Sequence, residues 1–339
     1  VRFPLKVYLL ALAGSALATW LTLPLWRKWC QRAGLVDEPG QRKIHAQAIP
    51  LAGGLAVMSG LVLPLLAGAA AALVLPGWRE AVAQAPGSMP HPTTLSLFQY
   101  GLGRRGLQLL SIVGGAFAML LIGLLDDKVE LRPAVKFGAQ LVVALMVAAA
   151  GVRITLFVPI VAFHYVITAL WILTVVNAFN FMDNMNGLCA GLGLISAAYF
   201  GMVSASEGQY LVATTAFLVT GALAGFLPYN FPKASVFLGD AGSHLVGYLL
   251  AVLGILPHFY TARHPRVLAV LTPLLILAVP LADLAWVVLL RWKMGKPFYI
   301  GDTNHWSHRL VRRGWSREKA VVLIWVAAAA AGALAFVWH

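Results

Sequence analysis

The chain has 339 residues, of which 60% are apolar and only 11% charged, with a mean hydropathy of +0.81, a formal net charge of +13 and a pI near 10.1. Soluble domains carry about 25% charged residues, so this composition cannot cover a water-facing surface, and it excludes an ordinary cytosolic enzyme, a disordered chain and, despite the basic excess, a nucleic-acid-binding domain. The two cysteines, Cys30 and Cys189, lie in no CxxC or Cys/His pattern, so they are read as buried free thiols rather than a disulfide or metal framework.

A bilayer core about 30 Å thick takes roughly 20 apolar residues per helix. Ten such runs follow one another at 5–26, 51–75, 107–125, 134–151, 155–176, 187–205, 210–227, 236–256, 267–290 and 319–338. They predict an all-α integral membrane protein of about 10 transmembrane helices, with residues 1–339 as one polytopic domain. Arg2, Lys6 and Ala16-Leu17-Ala18 give the first run some likeness to a signal peptide. The apolar stretch continues to Trp26 and then meets Arg27 and Lys28, which makes it a membrane span. Segment 77–106 is rich in Pro, Gly, Ser and Thr without periodicity and reads as a loop with no chemistry of its own.

With ten spans, the loops at 27–50, 126–136, 177–187, 228–240 and 291–319 share one side and hold 17 of the 25 lysines and arginines. The positive-inside rule places them in the cytoplasm and both termini on the periplasmic or extracellular side. Nine of the 12 acids lie in the same loops; Glu80 and Glu207 are on the other side, and Asp283 is inside the ninth run. An acid within a span is a functional candidate by default, or here a partner for Arg291 two turns on.

The cytoplasmic loops carry the chemistry. In the first, Asp37, Arg42, Lys43, His45 and the Gly53-Gly54 pair are individually weak signals. The third run ends in Asp126-Asp127, followed by Lys128, Arg132 and Lys136. Paired carboxylates at a membrane boundary need a cation or a metal, and Mg²⁺ is commonly held by one or two carboxylates plus substrate phosphates. The segment NAFNFMDNMNG places Asn177, Asn180, Asp183, Asn184 and Asn186 within ten residues. Side-chain amides suit the edges of a base, ribose or sugar, although an Asn-rich segment ending in Gly can be simply a self-capped turn. In VFLGDAGS, Asp240 stands at the head of a helical run, where N-terminal amides favour an anion or its metal, and Phe237 could stack on a nucleobase or anchor at the interface. In the last loop His305, His308 and Arg309 match a pyrophosphate better than a zinc site, which would need a third ligand. Arg312 and Arg313 continue the same segment at near-helical spacing; a basic loop alone would more simply be a topology signal or an anionic-lipid contact, and the two histidines argue for more than that.

Asp126-Asp127, NAFNFMDNMNG, VFLGDAGS and a His-containing basic loop, in this order and on one side, resemble the polyprenyl-phosphate N-acetylhexosamine-1-phosphate transferase family, from about residue 35 to 313. The RKIH loop and the last loop are closer to the bacterial enzymes using UDP-N-acetylglucosamine, for O-antigen, enterobacterial common antigen or teichoic-acid linkage, than to the UDP-MurNAc-pentapeptide translocase. Two positions depart from the family pattern: Asn186 stands for an acid, and Ser307 for a histidine.

The resemblance implies transfer of a sugar phosphate, most simply GlcNAc-1-phosphate, from a UDP-sugar to undecaprenyl phosphate with release of UMP, in the bacterial cytoplasmic membrane and with Mg²⁺ or Mn²⁺. It implies Asp126, Asp127, Asp183, Asp240 and His305 as catalytic, and Asp127 and Asp240 as metal ligands. Asp126 would be a base or orienting group. Lys43, His45, Lys136, Asn180, Asn186, Phe237, His308 and Arg309 would bind substrate, with Lys136 on the lipid phosphate and Phe237 on the uracil. A homodimer is a further expectation. The rival readings are the translocase and, in another class, a transporter of an anionic solute, whose site would sit near the bilayer midplane between repeated halves.

Overall fold

A computed structural model describes residues 5–39, 47–74, 94–259, 267–297, 299 and 302–338. In chain order they form α1 (Leu5–Ala33), the strands β1 (Val36–Asp37) and β2 (Ile49–Pro50), α2 (Gly53–Val74), α3 (Thr94–Val129), α4 (Pro133–Ala149), α5 (Val161–Met182) and α6 (Leu188–Ser206). Then come α7 (Tyr210–Asn230), α8 (Gly239–Ile255), a 3₁₀ turn (Val267–Leu271), α9 (Thr272–Ile276), α10 (Ala278–Lys293), α11 (Trp306–Arg312), α12 (Arg317–Ala333) and a 3₁₀ turn (Leu334–Trp338). The chain is therefore helical and membrane-embedded: among the described residues, seven helices are long and apolar enough to cross a bilayer. Each of the ten apolar runs coincides with helical structure, but α4 and α8 are shorter than a usual span.

The ninth run is not one helix. Its two parts are bent by 73°, and Pro280 explains the break: it has no N–H for the Ile276 carbonyl one turn back. That buried acceptor takes a bond at 3.3 Å from the Ser196 hydroxyl on α6 instead, as an apolar medium requires. The fifth run begins six residues later than expected because Pro159 keeps the preceding residue out of the helical region. It also runs on through Asn177, whose amide donates to Leu173 O and to the buried Gln140 side chain, both at 2.8 Å. Helix α3 starts inside the segment read as a loop. Beside an otherwise all-α fold, β1 and β2 pair antiparallel, with Val36 opposite Pro50. Phe237 N extends this ladder by donating to Pro50 O at 3.0 Å. Strands of two residues leave no periodic signal in a sequence.

Helix α8 is the centre of the bundle: every residue from Ala241 to Leu253 is buried, and it packs on α2, α3, α5, α6 and α7. A helix apolar all round belongs in such a place. Close approach is bought with glycine on its neighbours. A Cβ at Gly123 on α3 would meet the Asp240 carbonyl and the Ala241 backbone, and one at Gly54 on α2 would lie 2.6 Å from Gly242 N. Gly123→Val is therefore expected to force α3 and α8 apart, destabilising by about 1–3 kcal/mol. A lowered thermal midpoint in detergent checks this, and an unchanged midpoint would show that the contact tolerates a side chain.

Candidate functional site

Four helix ends meet at one place: the C-terminal ends of α3 and α5, and the N-terminal ends of α4 and α8. Each supplies a polar side chain. Asp126 and Asp127 come from the last turn of α3, Lys136 from the first turn of α4, Asn180 and Asp183 from the end of α5, and Asp240 from the first turn of α8.

Lys136 Nζ is the hub. It lies 2.5 Å from Asp126 Oδ2 and 3.1 Å from Asp240 Oδ2, and it donates to Asn180 Oδ1 at 3.2 Å. The Asn180 amide donates to Asp240 Oδ1 at 2.6 Å and to Ser243 Oγ at 3.0 Å. The Asp126 and Asp240 carboxyls also lie within hydrogen-bonding reach of each other. Asp126 is 8% exposed, and its Oδ1 accepts from Leu131 N at 2.8 Å. Two acceptor-only groups held this close need positive charge between or beside them, and one ammonium provides it here.

Asp127 does something different. Its Oδ1 accepts from Asp240 N at 2.8 Å and its Oδ2 from Ala241 N at 3.0 Å. The carboxylate thus caps the N-terminus of the buried helix α8, where amides otherwise lack partners and the helix dipole favours negative charge. The expected metal pair was Asp127 with Asp240. Asp126 lies beside the Asp240 carboxylate and Asp127 against the α8 backbone, because consecutive helical residues point about 100° apart. Asp183 caps the same end, accepting from the Gly239 amide. Burial, then the negative charges of Asp240 and Asp127, push its carboxyl well above the usual range, against the pull of that amide.

A second cluster joins α10 to the segment before α11. Asp283, 1% exposed, accepts from His305 Nδ1 at 2.6 Å and Trp306 N at 2.7 Å. Arg291, which the sequence offered as its partner, pairs instead with Asp302 at 2.8 Å and stacks on the Phe181 ring at 4.9 Å. His305 meets the same ring edge-on at 5.8 Å. Ser307 Oγ donates to Asn184 Oδ1 at 2.7 Å. Ser307, one of the two positions that depart from the family pattern, therefore ties the histidine loop to the Asn-rich turn through Asn184, while the other, Asn186, bonds to Pro232 O. His308 packs near His305, and burial, then the His305, Arg312 and Arg317 charges, lower its imidazole below the ordinary value.

The Asn-rich segment is largely self-supporting. Asn177 is buried in the bundle, Asn184 caps Phe181 O, and Asn186 donates to Pro232 O at 3.2 Å. Asn180, expected against nucleoside or sugar, orients Asp240 and Lys136. Phe237 is half-buried, its backbone paired with Pro50 and Gly53. Arg309 stacks on Trp286 at 4.9 Å and, among the described residues, forms no ion pair with the carboxylates. Lys43 and His45 lie outside the described residues. Sequence reasoning missed Asp127's cap, the Asp283–His305 pair, and Gln140, whose only signal was an amide inside an apolar run.

The fold and this site define a multi-pass helical membrane protein with a carboxylate, amide and lysine cluster where helix ends meet. The family model for glycosyl transferase family 4 matches residues 109–258, a span that includes both Asp126 and Asp240. A probable undecaprenyl-phosphate N-acetylglucosaminyl 1-phosphate transferase of Bacillus subtilis is 30% identical over 92% of this chain and 79% of its own. A decaprenyl-phosphate N-acetylglucosaminephosphotransferase of Mycobacterium tuberculosis is 32% identical over 96% and 81%. The undecaprenyl-phosphate alpha-N-acetylglucosaminyl 1-phosphate transferase of Escherichia coli K12 is 27% identical over 92% and 79%. The chain belongs to this family, glycosyl transferase family 4, the polyprenyl-phosphate N-acetylhexosamine-1-phosphate transferases.

Asp283→Ala leaves the Trp306 amide and the His305 ring without their shared acceptor, at a cost of about 1–3 kcal/mol for each buried group. It is expected to lower the thermal midpoint and to speed proteolysis between 296 and 305. Unchanged cleavage there would show that α11 is held by other contacts.

Proposed function

We propose that the protein transfers GlcNAc-1-phosphate from UDP-GlcNAc to a polyprenyl phosphate, most simply undecaprenyl phosphate, and releases UMP. The observation that carries this reading is the convergence of Asp126, Asp240, Asn180 and Lys136 at four helix ends, in a chain related to enzymes named for such transfers. An acceptor phosphate oxygen attacks the sugar-bearing phosphorus of the donor. The new P–O bond forms as the bond to the bridging oxygen breaks, and that oxygen leaves with UMP.

Both reactants are anions, so neutralisation and positioning dominate the barrier. A phosphomonoester has its second pKa near 6, so the acceptor is largely dianionic at neutral pH and needs little general-base help. Asp126 then acts chiefly by orienting Lys136, whose ammonium receives the acceptor phosphate. Asp183, His305 and His308 border the donor side, reached through Phe181 and Asn184. His308, its imidazole lowered below the ordinary value by burial and neighbouring charges, can offer a hydrogen bond beside Arg309. Asp126 and Asp240 fit a divalent cation, Mg²⁺ or Mn²⁺: their carboxylates converge and Asn180 adds an amide oxygen. No three His, Cys, Asp or Glu side chains among the described residues are arranged to hold an ion by themselves, so phosphates and water would have to complete its shell. Such an ion would withdraw charge from the donor pyrophosphate.

We place this site at the cytoplasmic face of ten spans, counting α4, α8 and the bent pair, with both termini outside and the chain in the bacterial cytoplasmic membrane. The loop asymmetry in Lys and Arg supports the orientation. Two buried cysteines leave little labelling background. A cysteine at Lys296 should then react with a membrane-impermeant maleimide only in inverted vesicles, and one at Glu207 only in intact cells. The opposite pattern would reverse the topology.

Asp126→Asn and Asp240→Asn are each expected to lower UMP release by roughly 100-fold or more in membranes that retain the protein, with uridine-labelled UDP-GlcNAc as donor. Near-normal turnover in either variant would remove the role given to it, and UDP in place of UMP would make the protein a conventional glycosyltransferase.

A further inference from the structure

Two clefts between α10, α11 and α12 meet at Arg309 and Arg313, which line both. One, of about 390 Å³, is basic, with Arg312, Asn304, Leu290 and Met294 completing its wall. The other, of about 470 Å³, is walled by Trp286, Trp306, Leu323 and Ile324. The pair has the shape of an amphiphile: a cationic end joined to an apolar end.

The surroundings select the occupant. No described carboxylate is ion-paired with Arg309, Arg312 or Arg313. Arg309 is held by Trp286, Arg312 donates to Thr303 O at 2.7 Å, and Arg313 is exposed. The apolar cleft opens beside Leu323, 40% exposed on α12, a helix long and apolar enough to span the bilayer. A basic pocket between membrane helices at the end of a span matches an anionic lipid headgroup with its acyl chain. A free phosphate would leave the apolar cleft empty. Among the described residues, Lys136 bonds to Asp126, Asp240 and Asn180 and Arg312 to Thr303, so the double cleft and the carboxylate cluster share no bond.

We propose that this double cleft binds an anionic membrane phospholipid, with the phosphate at Arg312 and Arg313 and an acyl chain along Trp306, Leu323 and Ile324. The site goes beyond the transfer reaction and rests only on the chain being embedded in a membrane, so its test does not use the reaction.

The full chain in mild detergent is exposed to an equimolar mixture of phosphatidylglycerol and phosphatidylcholine with matched acyl chains, and retained lipid is identified by native mass spectrometry. The wild type is expected to retain phosphatidylglycerol several-fold over phosphatidylcholine. R313Q should bring that ratio near parity, and L323W, which fills the apolar cleft and leaves the arginines in place, should reduce retention of both lipids. Circular dichroism of the two exposed-site variants confirms retained helix. Equal retention by the wild type, a preference that survives R313Q, or retention unchanged by L323W would each overturn the proposal. So would polyprenyl phosphate as the species lost in R313Q.

Discussion

The bonds from Asp127 to the amides of Asp240 and Ala241 hold the rest of the arrangement in place. A helix buried on every side cannot leave its first N–H groups to water, and α8 starts inside the bundle. A carboxylate from α3 and another from the end of α5 take those groups. The start of α8 is thereby fixed relative to α3 and α5, and the Asp240 side chain, one residue into the helix, is fixed with it. Gly123 permits the approach, since any side chain there would meet the capped turn itself.

The same requirement for partnered polar groups recurs through the bundle. The Asn177 amide donates to the Gln140 side-chain oxygen between α5 and α4, and Ser196 serves the carbonyl that Pro280 orphans. In an apolar medium each unmet group costs several kcal/mol, so these few side chains constrain helix placement more than the many interchangeable leucines do. Asp283 extends this logic to the last loop: one buried carboxylate takes both the His305 ring and the first amide of α11, which is how a mostly exposed basic segment acquires a defined position.

Much of this was legible in the residues. The apolar runs coincide with helices because hydropathy over 20 residues measures the solvent directly. Asp126, Asn180, Asp240 and Lys136 stood out as polar groups at run ends, and they converge. What was not legible depends on directions rather than spacing. Asp126 and Asp127 are adjacent in sequence but face different ways, so their division into a lysine partner and a helix cap appears only in three dimensions. Arg291 lies two turns from Asp283, an attractive pairing on paper, but a loop residue, Asp302, takes the guanidinium and His305 takes the acid. The break at the ninth run was written in Pro273 and Pro280, yet a window average of hydropathy does not register a missing N–H. Asn177 was read as the start of a loop because the same average counts an amide as polar whether or not a glutamine on the next helix satisfies it.

Charge balance links the fold to the proposed chemistry. One ammonium, Lys136, pairs with Asp126 and Asp240, and two further acids, Asp127 and Asp183, lie against the start of the same helix α8. Helix amides offset part of the excess at Asp127 and Asp183, and the remainder is visible in the Asp183 carboxyl, pushed up by burial and by its like-charged neighbours. A nucleotide-sugar and a lipid phosphate would add several more negative charges to this point. Coulomb repulsion between unit charges 4 Å apart is about 4 kcal/mol at an effective dielectric constant of 20, so a second phosphate cannot join on the strength of Lys136 alone. The Asp126 and Asp240 carboxylates converge on Lys136 while Asp127 is turned to the start of α8, so of the four acids those two are the ones the proposed divalent cation would share with the donor.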